Sequence, residues 1–120
     1  MALEAALICL ALNLIHEARG ESLTGQYAVV HTTRNRAKYN PDNVCKVVFA
    51  HRQFSWTIKM PGHDSDQFER ALNVAKWAWE SPADITYGAT HYHAAYIRPY
   101  WAANMKRTVK IGNHIFYRNK

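Results

Sequence analysis

Acid is scarce in this sequence. Nine Asp and Glu stand against fifteen Lys and Arg in 120 residues, a formal charge of +6. The shortage leaves few candidates for any chemistry that needs paired carboxylates. The basic balance suits an anionic partner: nucleic acid, an acidic membrane or an anionic cell-wall polymer. Cysteine is scarce as well. Cys9 and Cys45 are too few for a disulfide framework. Both fall in apolar stretches and read as buried thiols, with a Cys9–Cys45 bridge left open. No apolar run is long enough to span a bilayer. The nearest, Ala5–Ile15, is too short, follows only Glu4 rather than a basic leader, and runs into a charged motif. It therefore reads as a core helix and not as an export signal. Repeats, low-complexity tracts and interdomain linkers are missing too. What is present is 48% apolar residues, which excludes disorder and fits one domain over 1–120 with a real core.

The chain is organised around His16-Glu17-Ala18-Arg19-Gly20-Glu21. Leu3, Leu7, Leu10 and Leu14 recur at helical spacing, so a helix is expected over residues 2–19. Continuing that face by three residues reaches Glu17. A carboxylate at a helix C-terminus meets partial negative charge, and apolar neighbours disfavour ionisation. Both raise the expected pKa, which is what a general acid needs. The bland alternative is a solvated Glu–Arg surface pair. Gly20 offers the backbone freedom to turn out of the helix.

A second helix is expected over residues 25–38, with Thr24 as N-cap and Arg34, Arg36 and Lys38 matching its C-terminal dipole. Asn40-Pro41 ends it. A short third helix follows at about Asp42–Ala50. Residues 51–63 read as non-helical, large aromatics alternating with small polar residues in Gln53-Phe54-Ser55-Trp56-Thr57. These rings either plug the core or line a groove. A fourth helix over residues 65–80 starts with a capping-box pattern at Asp66 and Glu69 and carries the stripe Phe68, Leu72, Ala75, Trp79. The remainder reads as short strands, with Gly112-Asn113 as a two-residue hairpin turn.

Seven histidines raise the question of a metal. His16-Glu17 begins like a zinc-protease helix, but the second His is missing because position 20 is Gly. His91 and His93 could chelate as alternate strand residues, yet no third ligand is specified. The reading is therefore no metal and no cofactor, with a zinc amidase as a lesser alternative. Tyr96, Arg98, Tyr100, Trp101, Lys106, Arg107 and Lys110 could track a phosphate backbone, but no nucleic-acid motif is present, and the same rings could stack on sugars. A two-carboxylate glycosidase needs its acids about 5–5.5 Å apart for retention or about 6.5–9.5 Å for inversion. Glu17 has no evident partner, since Glu21 lies beyond the Gly20 turn, Asp84 is unplaced and the other acids look like helix-end or surface charges. One well-placed acid is the pattern of a lytic transglycosylase, whose single Glu protonates the glycosidic oxygen and then deprotonates the sugar's own 6-hydroxyl.

Several ordered blocks carry a resemblance along nearly the whole chain. They are Ala11-Leu12-Asn13-Leu14-Ile15-His16-Glu17-Ala18-Arg19-Gly20-Glu21, Gly25-Gln26-Tyr27-Ala28-Val29-Val30, Asn35-Arg36, Val44-Cys45-Lys46-Val47-Val48, Gln53-Phe54-Ser55-Trp56-Thr57, Gly88-Ala89-Thr90-His91-Tyr92-His93 and Ile111-Gly112-Asn113-His114-Ile115-Phe116-Tyr117. This set resembles the cell-wall hydrolases of the SleB/CwlJ, spore cortex-lytic type. The resemblance implies a lysozyme-like domain that cleaves peptidoglycan glycan strands. Its catalytic Glu falls on Glu17, and Glu21 takes a supporting role. Spore enzymes carry export signals and often a wall-binding region. This chain shows neither, so it looks more like a phage or prophage endolysin, kept in the host cytoplasm until a holin releases it to the wall.

The expectation is thus a mainly helical α+β domain, four helices with a small antiparallel β-hairpin region closing a glycan groove. Glu17 and Glu21 are the catalytic candidates. Gln53, Ser55, Trp56, Tyr92 and His93 are the groove candidates. The expected partners are peptidoglycan glycan strands and the anionic bacterial envelope, not nucleic acid, and the chain is expected to be a monomer. A water-using muramidase or glucosaminidase is the alternative chemistry.

Overall fold

A computed structural model describes residues 2–58 and 65–120, and for residues 51–58 the backbone only. The order is α1 (Ala2–Ala18), α2 (Leu23–Arg36), α3 (Pro41–Ile58), α4 (Ser65–Glu80), β1 (His91–Ala94), a 3-10 helix (Tyr100–Asn104), β2 (Lys106–Ile111) and β3 (His114–Arg118). The strands form one antiparallel sheet in the order β1-β3-β2. This is the expected mainly helical α+β arrangement, with four helices and a small sheet.

Helix α1 lies against α2, α3 and α4. Its Ala6, Leu10, Ala11, Leu14, Ile15 and Ala18 are buried, which an almost uniformly apolar sequence permits on several faces at once. The expected leucine stripe holds only from Leu10 onward. Leu3 is exposed and Leu7 is partly buried, because the buried part of α1 begins at Ala6. From α3, Val44 and Val48 complete the helical core, and Val74, Ala75 and Ala78 do so from α4.

Cys9 and Cys45 are not thiols. They form a disulfide between α1 and α3, with an S–S distance of 2.11 Å and Cα atoms 5.4 Å apart. The crossing of the two helices brings together positions 36 residues apart in sequence, which separate inspection of each apolar stretch could not reveal.

Helix α2 starts earlier than expected. Ser22, not Thr24, is its N-cap, with extended backbone and Oγ accepting from the Gly25 N–H at 3.1 Å. The helix sits between the helical core, reached by Val29 and Val30, and a second core of Ala28, Ala89 and Phe116 under the sheet. Polar residues in this buried stretch are satisfied locally or across the fold. Thr32 and Thr33 donate to the carbonyls of Ala28 and Val29. Arg34, expected to serve its own helix dipole, is 1% exposed and its Nη1 donates to the carbonyls of Ala78, Trp79 and Ser81. It neutralises the C-terminus of α4 instead.

The chain leaves α2 with Lys38 and Tyr39 at φ 56° and 61°. The Lys38 N–H donates to Asn35 O and the Tyr39 N–H to Arg34 O, the paired closure of a Schellman motif. Asn40 then caps α3 through Asp42, and Pro41 occupies the first helical position.

Helix α3 overturns the expectation of a non-helical segment from residue 51. It runs through Ile58 because no proline or glycine interrupts the sequence between Pro41 and Pro61. At α4, Asp66 lies inside the first turn rather than at the cap, since the helix already begins at Ser65.

Asp84, unplaced by sequence, ties the loop after α4 to α2. It accepts from Asn35 Nδ2, from the N–H groups of Thr86 and Gly88, and from the Thr86 hydroxyl. Burial works to raise its pKa, but these bonds together hold it below the ordinary value. His31 is fully buried beside it. Its Nε2–H donates to Ala78 O and its Nδ1 accepts from the Ile85 N–H, so the ring is neutral with a fixed tautomer. Burial, then the Arg34 charge, pushes its pKa down.

Candidate active site

Helix α1 ends where the charged motif begins. The Glu21 N–H donates to Ala18 O, closing a turn across Arg19 and Gly20. Gly20 takes φ +89°, which a glycine adopts without steric cost. The turn leaves Glu17 in the last turn of α1 and Glu21 just beyond it, and both line one open cleft of ≈ 560 Å³. His16 joins them from α1. Tyr92 and His93 line the same cleft from β1, and Trp101 from the 3-10 helix. The loop between those elements contributes Tyr96, Ile97 and Pro99, while Asn113 and His114 come from the hairpin. Tyr96 is 87% exposed, an open ring at the cleft edge.

The two carboxylates are held differently. Glu17 is half-buried, and its Oε1 is shut off from solvent. Glu21 reaches across to the β2–β3 turn. Its Oε1 accepts from the Asn113 N–H at 3.2 Å and its Oε2 from Asn113 Nδ2 at 2.9 Å. His114 Nδ1 lies 3.8 Å from Oε1. Two glycines make this approach possible. A Cβ at Gly112 would collide with Glu21 Oε1, and one at Gly25 would press on the same oxygen at 3.1 Å. Gly112 also needs its positive φ of 57° as the first turn residue of the expected hairpin.

On β1 the side chains alternate as strand geometry requires. Tyr92 packs edge-on to His114 and beside Phe116, toward the helices. His91 and His93 lie on the other face, each against Trp101. The Nδ1–H of His93 donates to Ala94 O, and its Nε2 pairs with the Tyr117 hydroxyl at 2.9 Å. The Tyr117 ring also stacks on that imidazole. Burial, then the charge of Arg36, pushes the pKa of His91 down. Among the described residues, no three His, Cys, Asp or Glu side chains stand close enough to share a metal ion.

Of the sequence candidates, Glu17, Glu21, Tyr92 and His93 meet in this cleft. Gln53, Ser55 and Trp56 belong to the last turns of α3, and their side chains lie outside the described residues. Sequence reasoning did not name His16, Ile97, Pro99, Asn113 or His114 as cleft residues, and it placed Tyr96 and Trp101 only in a stacking patch. The Gly112-Asn113 signal was legible as a turn, but what that turn touches was not.

Residues 20–117 match the family model described as Cell Wall Hydrolase. That match begins just past Glu17, so the place of Glu17 in the cleft rests on the geometry above. Two solved structures are similar over nearly the whole chain. The catalytic domain of the germination-specific lytic transglycosylase SleB from Bacillus anthracis aligns with a TM-score of 0.74 at 26% identity, covering 94% of this chain and 93% of that one. The catalytic domain of the Bacillus cereus SleB protein aligns with a TM-score of 0.76 at 25% identity, covering 96% and 91%. Among curated proteins, no sequence matches.

Proposed function

The chain belongs to the cell wall hydrolase family, and we propose that it cleaves the glycan strands of bacterial peptidoglycan as a lytic transglycosylase, with Glu17 as acid and then base. The similar Bacillus anthracis domain is described as a lytic transglycosylase. The observation that carries the reading is the division of labour between the carboxylates. Glu21 holds the hairpin through Asn113. Glu17 stands at the end of a buried helix, beside a cleft whose aromatic rings suit sugar faces.

In the first half-reaction the Glu17 carboxyl gives its proton to the glycosidic oxygen, and the bond from that oxygen to the sugar's C1 breaks. In the second, the Glu17 carboxylate takes the proton of the same sugar's 6-hydroxyl, and the 6-oxygen bonds to C1. An anhydro ring forms, Glu17 regains its proton, and no water is consumed. One carboxylate serves both steps, so Glu21 remains a positioning residue. The cleft would bind a single glycan strand per monomer. The charge of +6 draws the enzyme to an anionic envelope. Its delivery belongs to the same proposal: host cytoplasm until lysis, then the wall.

Mass spectrometry of the soluble products from purified peptidoglycan tests this, with Glu17→Gln alongside. Anhydro-muropeptides that disappear in the variant are expected. Products one water heavier would instead mean hydrolysis. Free stem peptides would overturn glycan cleavage altogether.

A further inference from the structure

Beside the cleft lies a second cavity of ≈ 310 Å³, between α1, α2, α3 and β1. Tyr92 and Trp101 line both spaces. The side cavity therefore adjoins the cleft at those two rings.

The two spaces differ in charge. The cleft holds Glu17 and Glu21. Among the described residues that line it, the side cavity has no carboxylate, and the cation is Arg36. That guanidinium is exposed on α2 and makes no ion pair among the described residues. Deeper in, Asn13 is only 4% exposed, and its amide makes no hydrogen bond among the described residues. That amide lines the cavity and is placed to meet a polar group of a ligand that enters it. Val47 and Val48 supply an apolar wall. The cavity is larger than an acetamido group fills, and a neutral acetamido group would make no use of Arg36.

We propose that this cavity binds the carboxylate-bearing peptide branch of the muramic acid residue, Arg36 pairing with a peptide carboxylate and Asn13 with a peptide amide. The inference rests on the glycan-cleaving reading and adds the feature of the strand that the enzyme recognises. Repulsion from the Glu21 carboxylate keeps the anionic branch out of the main channel, and Arg36 draws it sideways. The branch thereby fixes which sugar presents its glycosidic oxygen to Glu17.

Three substrates separate the possibilities: native strands with free stem carboxylates, strands whose stem carboxylates have been converted to amides, and strands stripped of stems by an amidase. Initial rates of chain cleavage are measured for the native enzyme, Arg36→Gln and Arg36→Lys, with thermal melting to verify folding. The native enzyme is expected to favour free-carboxylate strands over the other two by about tenfold in kcat/KM, the size of one charge-assisted hydrogen bond. Arg36→Gln should bring that ratio close to one, and Arg36→Lys should restore part of it. Equal rates on native and amidated strands overturn the carboxylate recognition, as does a ratio that survives Arg36→Gln. Absence of glycan products from all three substrates would instead refute the glycan-cleaving reading.

Discussion

Removing the Glu21 carboxylate should destabilise the protein before it says anything about chemistry. The Glu21 side chain is 10% exposed and receives two hydrogen bonds from Asn113. Hydrogen bonds to a charged group contribute about 1.5–3 kcal/mol each, less where water can substitute. Asn113 is exposed, so water can solvate it in the variant, and Glu21→Ala is expected to cost about 2–3 kcal/mol in all. Gly112→Ala acts on the same clamp from the other side. Its left-handed backbone costs about 1 kcal/mol with a side chain, and the new methyl expels the carboxylate, for a total of about 3–4 kcal/mol. The double variant has no carboxylate left to collide with. It should cost no more than Gly112→Ala alone, a coupling of about 2 kcal/mol in the double-mutant cycle. Urea unfolding of the four proteins measures this directly, and each change in activity is compared with it. Additive losses would refute the clamp. So would Glu21→Ala that loses activity at unchanged stability, which would make Glu21 a chemical participant.

Mild acid should weaken the fold through His31 and His91. His31 has a lowered pKa in the native state, so below about pH 6.5 the unfolded chain binds the extra proton and the folded one does not. Unfolding free energy should then fall with pH at up to about 1.4 kcal/mol per unit, His91 acting in the same direction, whereas the contribution of Asp84 persists until pH drops below its ordinary carboxylate range. Urea titrations at pH 7.5 and 5.5 test this, and a flat profile contradicts it. Reducing the Cys9–Cys45 disulfide opens a link across 36 residues, worth about 4 kcal/mol on the chain-entropy account, so the melting temperature should drop clearly in thiol reductant. Lys38→Gly should raise stability by about 1 kcal/mol by relieving its left-handed backbone in the Schellman closure; a loss of stability would mean that the lysine side chain contributes more than its backbone strain.

Local features of the fold were legible because their causes are local. The apolar run specified α1, and Gly112-Asn113 specified the hairpin. The extent of α3 was misread because alternating aromatics and hydroxyls suggested irregular structure, while the absence of a breaker before Pro61 was the stronger signal. Arg34 was misassigned because its partners lie 44 to 47 positions away. Asp84 could have been found, since Asp-Ile-Thr spells an Asx turn, in which the carboxylate accepts from the N–H two residues on.

Glu21 was read in the sequence as a supporting residue, but the partner it supports was not legible there, and that partner bears on mechanism. The closeness of Glu21 to Glu17 in sequence makes it look like the second carboxylate of a hydrolytic pair. The fold instead gives it a partner 92 positions away, and the glycines that admit it are placed for its carboxylate and not for a sugar. A base that activates water must be able to gain a proton during turnover. An acid that also holds the hairpin shut would weaken its two bonds from Asn113 each time it did so. The cost of that step falls on the wall of the cleft itself. Chemistry that passes one proton out from Glu17 and back again leaves the clamp closed throughout, which is the physical reason to favour the internal 6-hydroxyl over water as the nucleophile.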